Sequence, residues 1–221
     1  DTRLCPDIFI APQDRLQAPR GAMAVAEITR YTLAQERPQG RIVEVLGHAD
    51  DPDMELRLIL RKYGLPSAFP PEVEAAAEAV APQVSLSDLA GRRDLRDLLT
   101  CTIDGETARD FDDAVSLELL ANDHLQLGVH IADVSFYVRE GSPMDREAAQ
   151  RGTSVYFPDQ VIPMLPGRLS HDICCLQPEA DRLTLSVFIE LTADGRTVRY
   201  EIAETVIRSQ ARLTYTRVAE Y

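Results

Sequence analysis

Four aspartates fall within ten residues of the sequence, at Asp104, Asp110, Asp112 and Asp113. Apolar, strand-like segments at residues 99–103 and 114–119 lie on either side of this acidic segment. A short loop between two such strands brings its carboxylates together at the end of a sheet. Two carboxylates about 4 Å apart repel each other by roughly 4 kcal/mol at an effective dielectric constant of about 20. The chain must therefore either spread these side chains into water or hold them around a cation.

The chemistry of the side chains indicates which cation would fit. Residues 104–113 contain no Cys or His, and ligands that are all oxygen select magnesium or manganese before zinc. A calcium-binding EF-hand loop beginning at Asp104 would need glycine at its sixth position and glutamate at its twelfth. The sequence has Arg109 and Val115 there. Two interpretations stay open from the residues alone: a metal site for phosphoryl chemistry, or an acidic surface turn whose charges are solvated.

The first part of the chain reads as short strands followed by helices. Apolar runs at residues 7–12, 22–29 and 40–46 are separated by turn-forming residues, which predicts a small antiparallel barrel. Residues 52–63 predict a helix that ends at Gly64, and residues 72–80 predict a second helix after Pro70 and Pro71.

The second part is richer in strands and begins after a connector at residues 82–91. Residues 125–131 follow the strand at 114–119 as a hairpin, and residues 183–191 alternate apolar and polar side chains, which indicates a half-buried strand. We interpret His130 as a packed strand residue. The chain is therefore expected to be an α+β protein with domains at residues 1–91 and 92–221.

The charge of the chain limits how it can meet a polyanion. A net charge of −13 argues against coating nucleic acid through a broad basic face. Lys62 is the only lysine, so almost all positive charge is arginine, the better bidentate partner for phosphate. The sequence has no run of eighteen apolar residues and no signal-peptide pattern at its start, so we expect a cytoplasmic protein that does not bind membranes.

Several separate motifs resemble the ribonuclease II and ribonuclease R (RNB) exoribonuclease family, and its ribonuclease R branch in particular. They occur in the family's order at residues 93–98 (RDLRDL), 102–115 (TIDGETARDFDDAV), 130–135 (HIADVS), 145–148 (DREA), 151–158 (RGTSVYFP), 161–166 (VIPMLP), 169–170 (LS) and 211–216 (ARLTYT). The resemblance implies a cold-shock-type OB barrel with a connector over residues 1–91. Residues 92–221 then resemble the first, β-rich part of a mixed α/β catalytic domain.

The resemblance also implies a function and its site residues. The family hydrolyses single-stranded RNA processively from the 3′ end and releases nucleoside 5′-monophosphates, with Mg²⁺ or Mn²⁺ bound by the aspartates. By position, Asp104 and Asp113 would hold the principal ion, Asp110 would share a second ion or its waters, and Asp112 would orient or activate the attacking water.

Three further residues are expected to contact RNA. Tyr156 matches a tyrosine that stacks near the 3′-terminal base, Tyr215 matches another RNA-contacting tyrosine, and Arg109 is placed to reach a phosphate. For each tyrosine the alternative is a core residue with a hydrogen-bonded hydroxyl, and for Arg109 it is a solvated neighbour of the aspartates.

A second function class stays open beside the nuclease. The resemblance stops before the end of the family's catalytic domain, so we expect weak or no hydrolysis from these 221 residues alone. The alternative is a non-catalytic, OB-type RNA-binding fragment. In either case we expect a monomer.

Overall fold

A computed structural model describes residues 7–31, 37–158 and 160–220 of the chain, which divides into two compact units, Asp1–Ser67 and Ala68–Tyr221. The second unit begins before residue 92, where the sequence pattern changes. The reason lies in helix α2 (Pro71–Glu78), whose Val73 and Ala77 are buried in the core of the second unit. Burial of these side chains joins the connector to the second unit.

The first unit is a three-stranded sheet followed by a helix. Its elements are β1 (Phe9–Ile10), β2 (Ala22–Arg30), β3 (Gln39–His48) and α1 (Met54–Tyr63). β2 and β3 form an antiparallel pair, whereas β1 pairs in parallel with β3. In the sequence, β2 lies between β1 and β3. The parallel pairing of β1 with β3 therefore differs from the antiparallel arrangement expected from sequence. Gly64 ends α1 in the left-handed conformation, as glycine commonly does.

The second unit is built on a seven-stranded sheet with the order β12-β5-β6-β7-β10-β11-β4. Its strands are β4 (Arg93–Leu95), β5 (Cys101–Asp104), β6 (Asp113–Leu119), β7 (Leu125–Ala132), β10 (Asp181–Leu191), β11 (Thr197–Arg208) and β12 (Ala211–Thr214). The inner strands are antiparallel, and the two edge pairs, β12 with β5 and β11 with β4, are parallel.

Short helices and one hairpin complete the second unit. They are α3 (Val134–Tyr137), α4 (Pro143–Arg151), the hairpin of β8 (Val155–Tyr156) and β9 (Val161–Ile162), a π-helical turn (Leu169–Ile173) and α5 (Tyr215–Val218). Leu169, Ile173 and Leu176 pack with Phe111 and Met144 in the core. Within the described ranges, no helix combines the length and apolar character needed to cross a bilayer.

On the large sheet, the buried face carries polar side chains on β10 and the exposed face carries apolar ones. On β10 the buried side chains include Thr184 and Ser186, whereas the apolar Leu185 between them is 45% exposed. Strand pairing places Leu185 beside Ile131, and Ile131 beside Asp113. The open face therefore carries aliphatic side chains with an aspartate at its end.

The covered face contains a chain of polar groups centred on His130. The ring accepts or donates hydrogen bonds at both nitrogens, to Ser116 Oγ at 2.9 Å and to Ser186 Oγ at 2.7 Å. Ser186 continues to Thr205, which contacts Thr184. All five side chains are buried. These polar groups tolerate burial because they satisfy one another.

This network predicts that acid destabilises the protein through His130. Burial lowers the pKa of His130 to about 4 from its ordinary 6.5, so between these values the unfolded chain binds a proton that the folded protein does not. The stabilisation is complete above pH 6.5 and is lost as the pH falls toward 4, by about 3 kcal/mol.

Urea unfolding at several pH values checks this prediction. A His130→Gln variant, which cannot take up the proton, should show a flatter dependence of unfolding free energy on pH in this range. Equal slopes for the two proteins would contradict it.

Candidate active site

Asp104 and Asp113 lie at the facing ends of two neighbouring strands. Asp104 is the last residue of β5, Asp113 is the first residue of β6, and the two strands pair antiparallel through Cys101 and Val115. The loop between them holds the other two aspartates. The four aspartates therefore share one end of the sheet, and each of them is exposed or half-buried.

Phe111, inside the acidic run, anchors this loop. Phe111 is buried in the core, its amide contacts Cys175 Sγ at 3.2 Å, and its carbonyl accepts from the Leu176 amide at 2.8 Å. The next carbonyl, that of Asp112, accepts from the Ala132 amide of β7 at 3.0 Å. The backbone on both sides of Phe111 is thus fixed, which leaves the aspartate side chains to the outside.

Arg212 holds the start of the loop. Its Nη2 donates to the carbonyl oxygens of Gly105 at 2.7 Å and Glu106 at 2.9 Å, and its guanidinium lies 5.2 Å from the centre of the Phe111 ring. Arg212 reaches this position because β12 pairs in parallel with β5, which places it beside Thr102. A positive charge therefore lies next to the first aspartate.

Crowding changes the acidity of two of the carboxyl groups. Partial burial, and then the charge of Asp113, raise the pKa of Asp104, while Arg212 acts in the opposite direction. Loss of hydration, and then the charges of Asp110 and Asp113, raise the pKa of Asp112. Both shifts come from unfavourable burial and like-charge repulsion, and a bound cation would relieve both.

The donor set fits a hard divalent cation in its chemistry. Asp104 Oδ2 is buried and has no hydrogen-bond partner among the described residues, so it is an oxygen with an unused capacity to bind. The side chains are near one another, yet across the described ranges no three Asp, Glu, His or Cys groups converge closely enough to hold a metal ion. The residues available to hold one are Asp104, Asp110, Asp112 and Asp113.

Tyr156 makes a contact that the sequence did not predict. Its hydroxyl donates to Asp110 Oδ2 at 2.6 Å, although its side chain is 63% exposed. The pKa of Tyr156 is raised to about 12 because its hydroxyl donates to Asp110 and ionisation would place a second negative charge beside that carboxylate. The β8–β9 hairpin carries Tyr156 to the loop from a distant part of the sequence, and nothing in the spacing of the residues signals this.

The other two predicted RNA contacts, Arg109 and Tyr215, are both exposed. Arg109 is exposed and lines a pocket of about 590 Å³ together with Asp110, Tyr156 and His171. Tyr215 is 63% exposed at the start of α5, directly after Thr214, which pairs with Asp104. Both tyrosines are therefore accessible and near an aspartate, which does not match the alternative of core residues.

Comparison with known proteins matches both parts of the chain. The RNB domain family matches residues 92–221 and the cold shock domain family matches residues 1–70. Ribonuclease R of Thermotoga maritima is 48% identical over 223 aligned residues, which cover 100% of this chain and 31% of that protein. This chain thus spans less than a third of that relative.

Two solved structures share the fold. Mycoplasma genitalium RNase R in complex with double-stranded RNA aligns with a TM-score of 0.88 and 27% identity, over 96% of this chain and 38% of that one. Yeast Ssd1, described as a pseudonuclease, aligns with a TM-score of 0.75 and 25% identity, over 100% of this chain and 29% of that one. The predicted fold class, a cold-shock-type unit followed by a β-rich α/β unit, is confirmed.

The coupling among the carboxyl groups gives a direct prediction. An Asp113→Asn substitution removes a negative charge that raises the pKa of both Asp104 and Asp112, so both pKa values should fall. Carboxyl ¹³C NMR titration of the metal-free protein measures this. Asp123→Asn, at an exposed turn outside the loop, is the matched control and should change neither value. Unchanged pKa values in Asp113→Asn would show that the carboxyl groups do not interact.

Proposed function

The chain belongs to the RNB domain family, and from that premise we propose that the protein is a magnesium-dependent exoribonuclease. In this proposal it hydrolyses single-stranded RNA processively from the 3′ end to nucleoside 5′-monophosphates, with Mn²⁺ able to replace Mg²⁺. The whole-chain similarity to ribonuclease R supports it, as does the fold shared with an RNase R bound to RNA. A cytoplasmic location and a monomeric state stay predictions.

One observation carries the proposal: four carboxyl groups are gathered at the β5–β6 end although they repel one another. Without a cation, repulsion makes this arrangement unfavourable. With a cation, the same carboxyl groups can act as its ligands. When bound, Mg²⁺ would supply Lewis-acid stabilisation of the charge that develops on the phosphate during hydrolysis. We assign Asp104 and Asp113 to hold the principal ion, since they extend from the two strand ends, and Asp110 to share a second ion or its waters.

Asp112 is assigned to the attacking water. Its side chain is accessible to water although its surroundings partly desolvate it, and its backbone is fixed by the Ala132 amide. Its carboxylate can accept a hydrogen bond from water and take up its proton. Replacement by asparagine keeps the shape of the side chain and removes this basicity.

The exposed aromatic and basic residues are assigned to the RNA. Tyr156 and Tyr215 offer accessible rings near the aspartates, and base stacking on such rings tolerates any sequence. Arg109, on the wall of the neighbouring pocket, is assigned to a phosphate. With a net charge of −13, binding has to depend on a few such contacts and on the metal, since no broad excess of positive charge is available.

The second candidate is an RNA-binding module without hydrolysis. The similarity to Ssd1, a pseudonuclease, favours keeping this candidate, because the same fold exists in a protein of that description. The two functions differ in their need for the aspartates. A binding module should hold RNA without them, whereas hydrolysis requires both the cation and Asp112.

Incubation of the chain with 5′-labelled single-stranded RNA and MgCl₂ separates the two functions. We expect slow shortening from the 3′ end that stops with EDTA, and an Asp112→Asn rate lower by about 100-fold or more at similar RNA affinity. Asp123→Asn should match the wild type. RNA that is bound in a filter assay but stays intact in every lane would favour the binding module.

A further inference from the structure

Cys175 contacts the peptide groups on both sides of Asp110. Its Sγ accepts a hydrogen bond from the Phe111 amide at 3.2 Å and donates one to the Arg109 carbonyl oxygen at 3.4 Å. The side chain is fully buried, so these contacts are shielded from water. One thiol thus spans Asp110, whose carboxylate is assigned to the proposed cation.

The position of Cys175 is itself fixed from behind. Its carbonyl accepts from Nε of the buried Arg182 at 2.8 Å, and the amide of the next residue, Leu176, donates to the Phe111 carbonyl at 2.8 Å. Phe111 is held by two consecutive residues of the same segment. Displacement of this segment would therefore move the loop.

The carboxylate of Asp110 has its own restraint, the 2.6 Å hydrogen bond from the Tyr156 hydroxyl. The backbone of Asp110 is consequently held by Cys175 in the core, and its side chain is held by Tyr156 at the surface. A ligand whose backbone is held in this way loses less entropy when a cation binds.

We propose that Cys175 is a positioning residue for the metal site, which fixes the backbone of Asp110 through its thiol. The two hydrogen bonds of the thiol support its hold on the loop. The effect on a bound metal ion rests on the proposed function. The residue does not touch the cation or RNA. It acts because it both donates and accepts, a capacity that serine shares and alanine lacks.

The neighbouring Cys174 provides a matched control. It is also buried, at 4% exposure, and packs in the same core cluster. In the described part of the chain its thiol makes no hydrogen bond to residues 105–112. Cys174→Ala and Cys175→Ala therefore remove the same atom from similar surroundings, and only the second change removes the contacts to the loop.

Two measurements on the 221-residue chain test the proposal. Hydrogen exchange followed by NMR reports the Phe111 amide, which should exchange at least about tenfold faster in Cys175→Ala than in Cys174→Ala. Titration with Mn²⁺, followed by electron paramagnetic resonance of the free ion, should show about tenfold weaker binding in Cys175→Ala. Cys175→Ser should restore both values to within about twofold of the wild type.

The outcomes separate this proposal from the proposed function. Equal exchange of the Phe111 amide in the two alanine variants would overturn the positioning role, whatever the protein does with RNA. Equal Mn²⁺ affinity in wild type and Cys175→Ala would also overturn it. If the wild type binds no Mn²⁺, the proposed function fails, and the exchange rates alone then decide whether Cys175 holds the loop.

Discussion

Like-charge repulsion among four carboxyl groups at the β5–β6 end is opposed by the residues that hold the loop between these strands. Phe111 buries its ring in the core, Cys175 and Leu176 contact its backbone, and Arg212 places a positive charge at the first turn. Hydrogen bonds and burial thus maintain an arrangement that electrostatics alone would disperse. The backbone of the loop is preorganised for the proposed cation, because the fold, and not the metal, sets it, whereas no three of the described carboxyl groups converge closely enough to hold an ion.

Polar contacts within the sheet behind the loop help to hold the loop in place. Its covered face is tied together by the His130 hydroxyl network, and the buried pair of Arg92 and Asp133 extends the polar contacts at the end of β7. A satisfied network of this kind favours one arrangement of the strands, since any shift would leave buried polar groups without partners. The position of Asp113 at the start of β6 depends on that same strand register.

The sequence predicted the strands that border the aspartates, the hairpin from β6 to β7 and the end of α1 at Gly64, because each depends on local patterns. The alternation of apolar and polar side chains in β10 correctly indicated that the two faces of the strand differ. It did not indicate which of the two faces is buried. The contacts of Tyr156 and Cys175 with the acidic loop were not predictable, since they join distant segments and carry no spacing signal. The parallel edge strands escaped prediction for the same reason.

A crystal structure of the chain grown with Mn²⁺, with anomalous scattering used to locate the ion, tests directly whether these aspartates bind a metal. We expect an anomalous peak at the β5–β6 end with oxygen atoms of Asp104 and Asp113 at about 2.1 Å from it, and loss of the peak in an Asp104→Asn, Asp113→Asn double variant. A well-ordered acidic loop without a peak, or a peak only at other residues, would contradict the claim that these aspartates form a metal site.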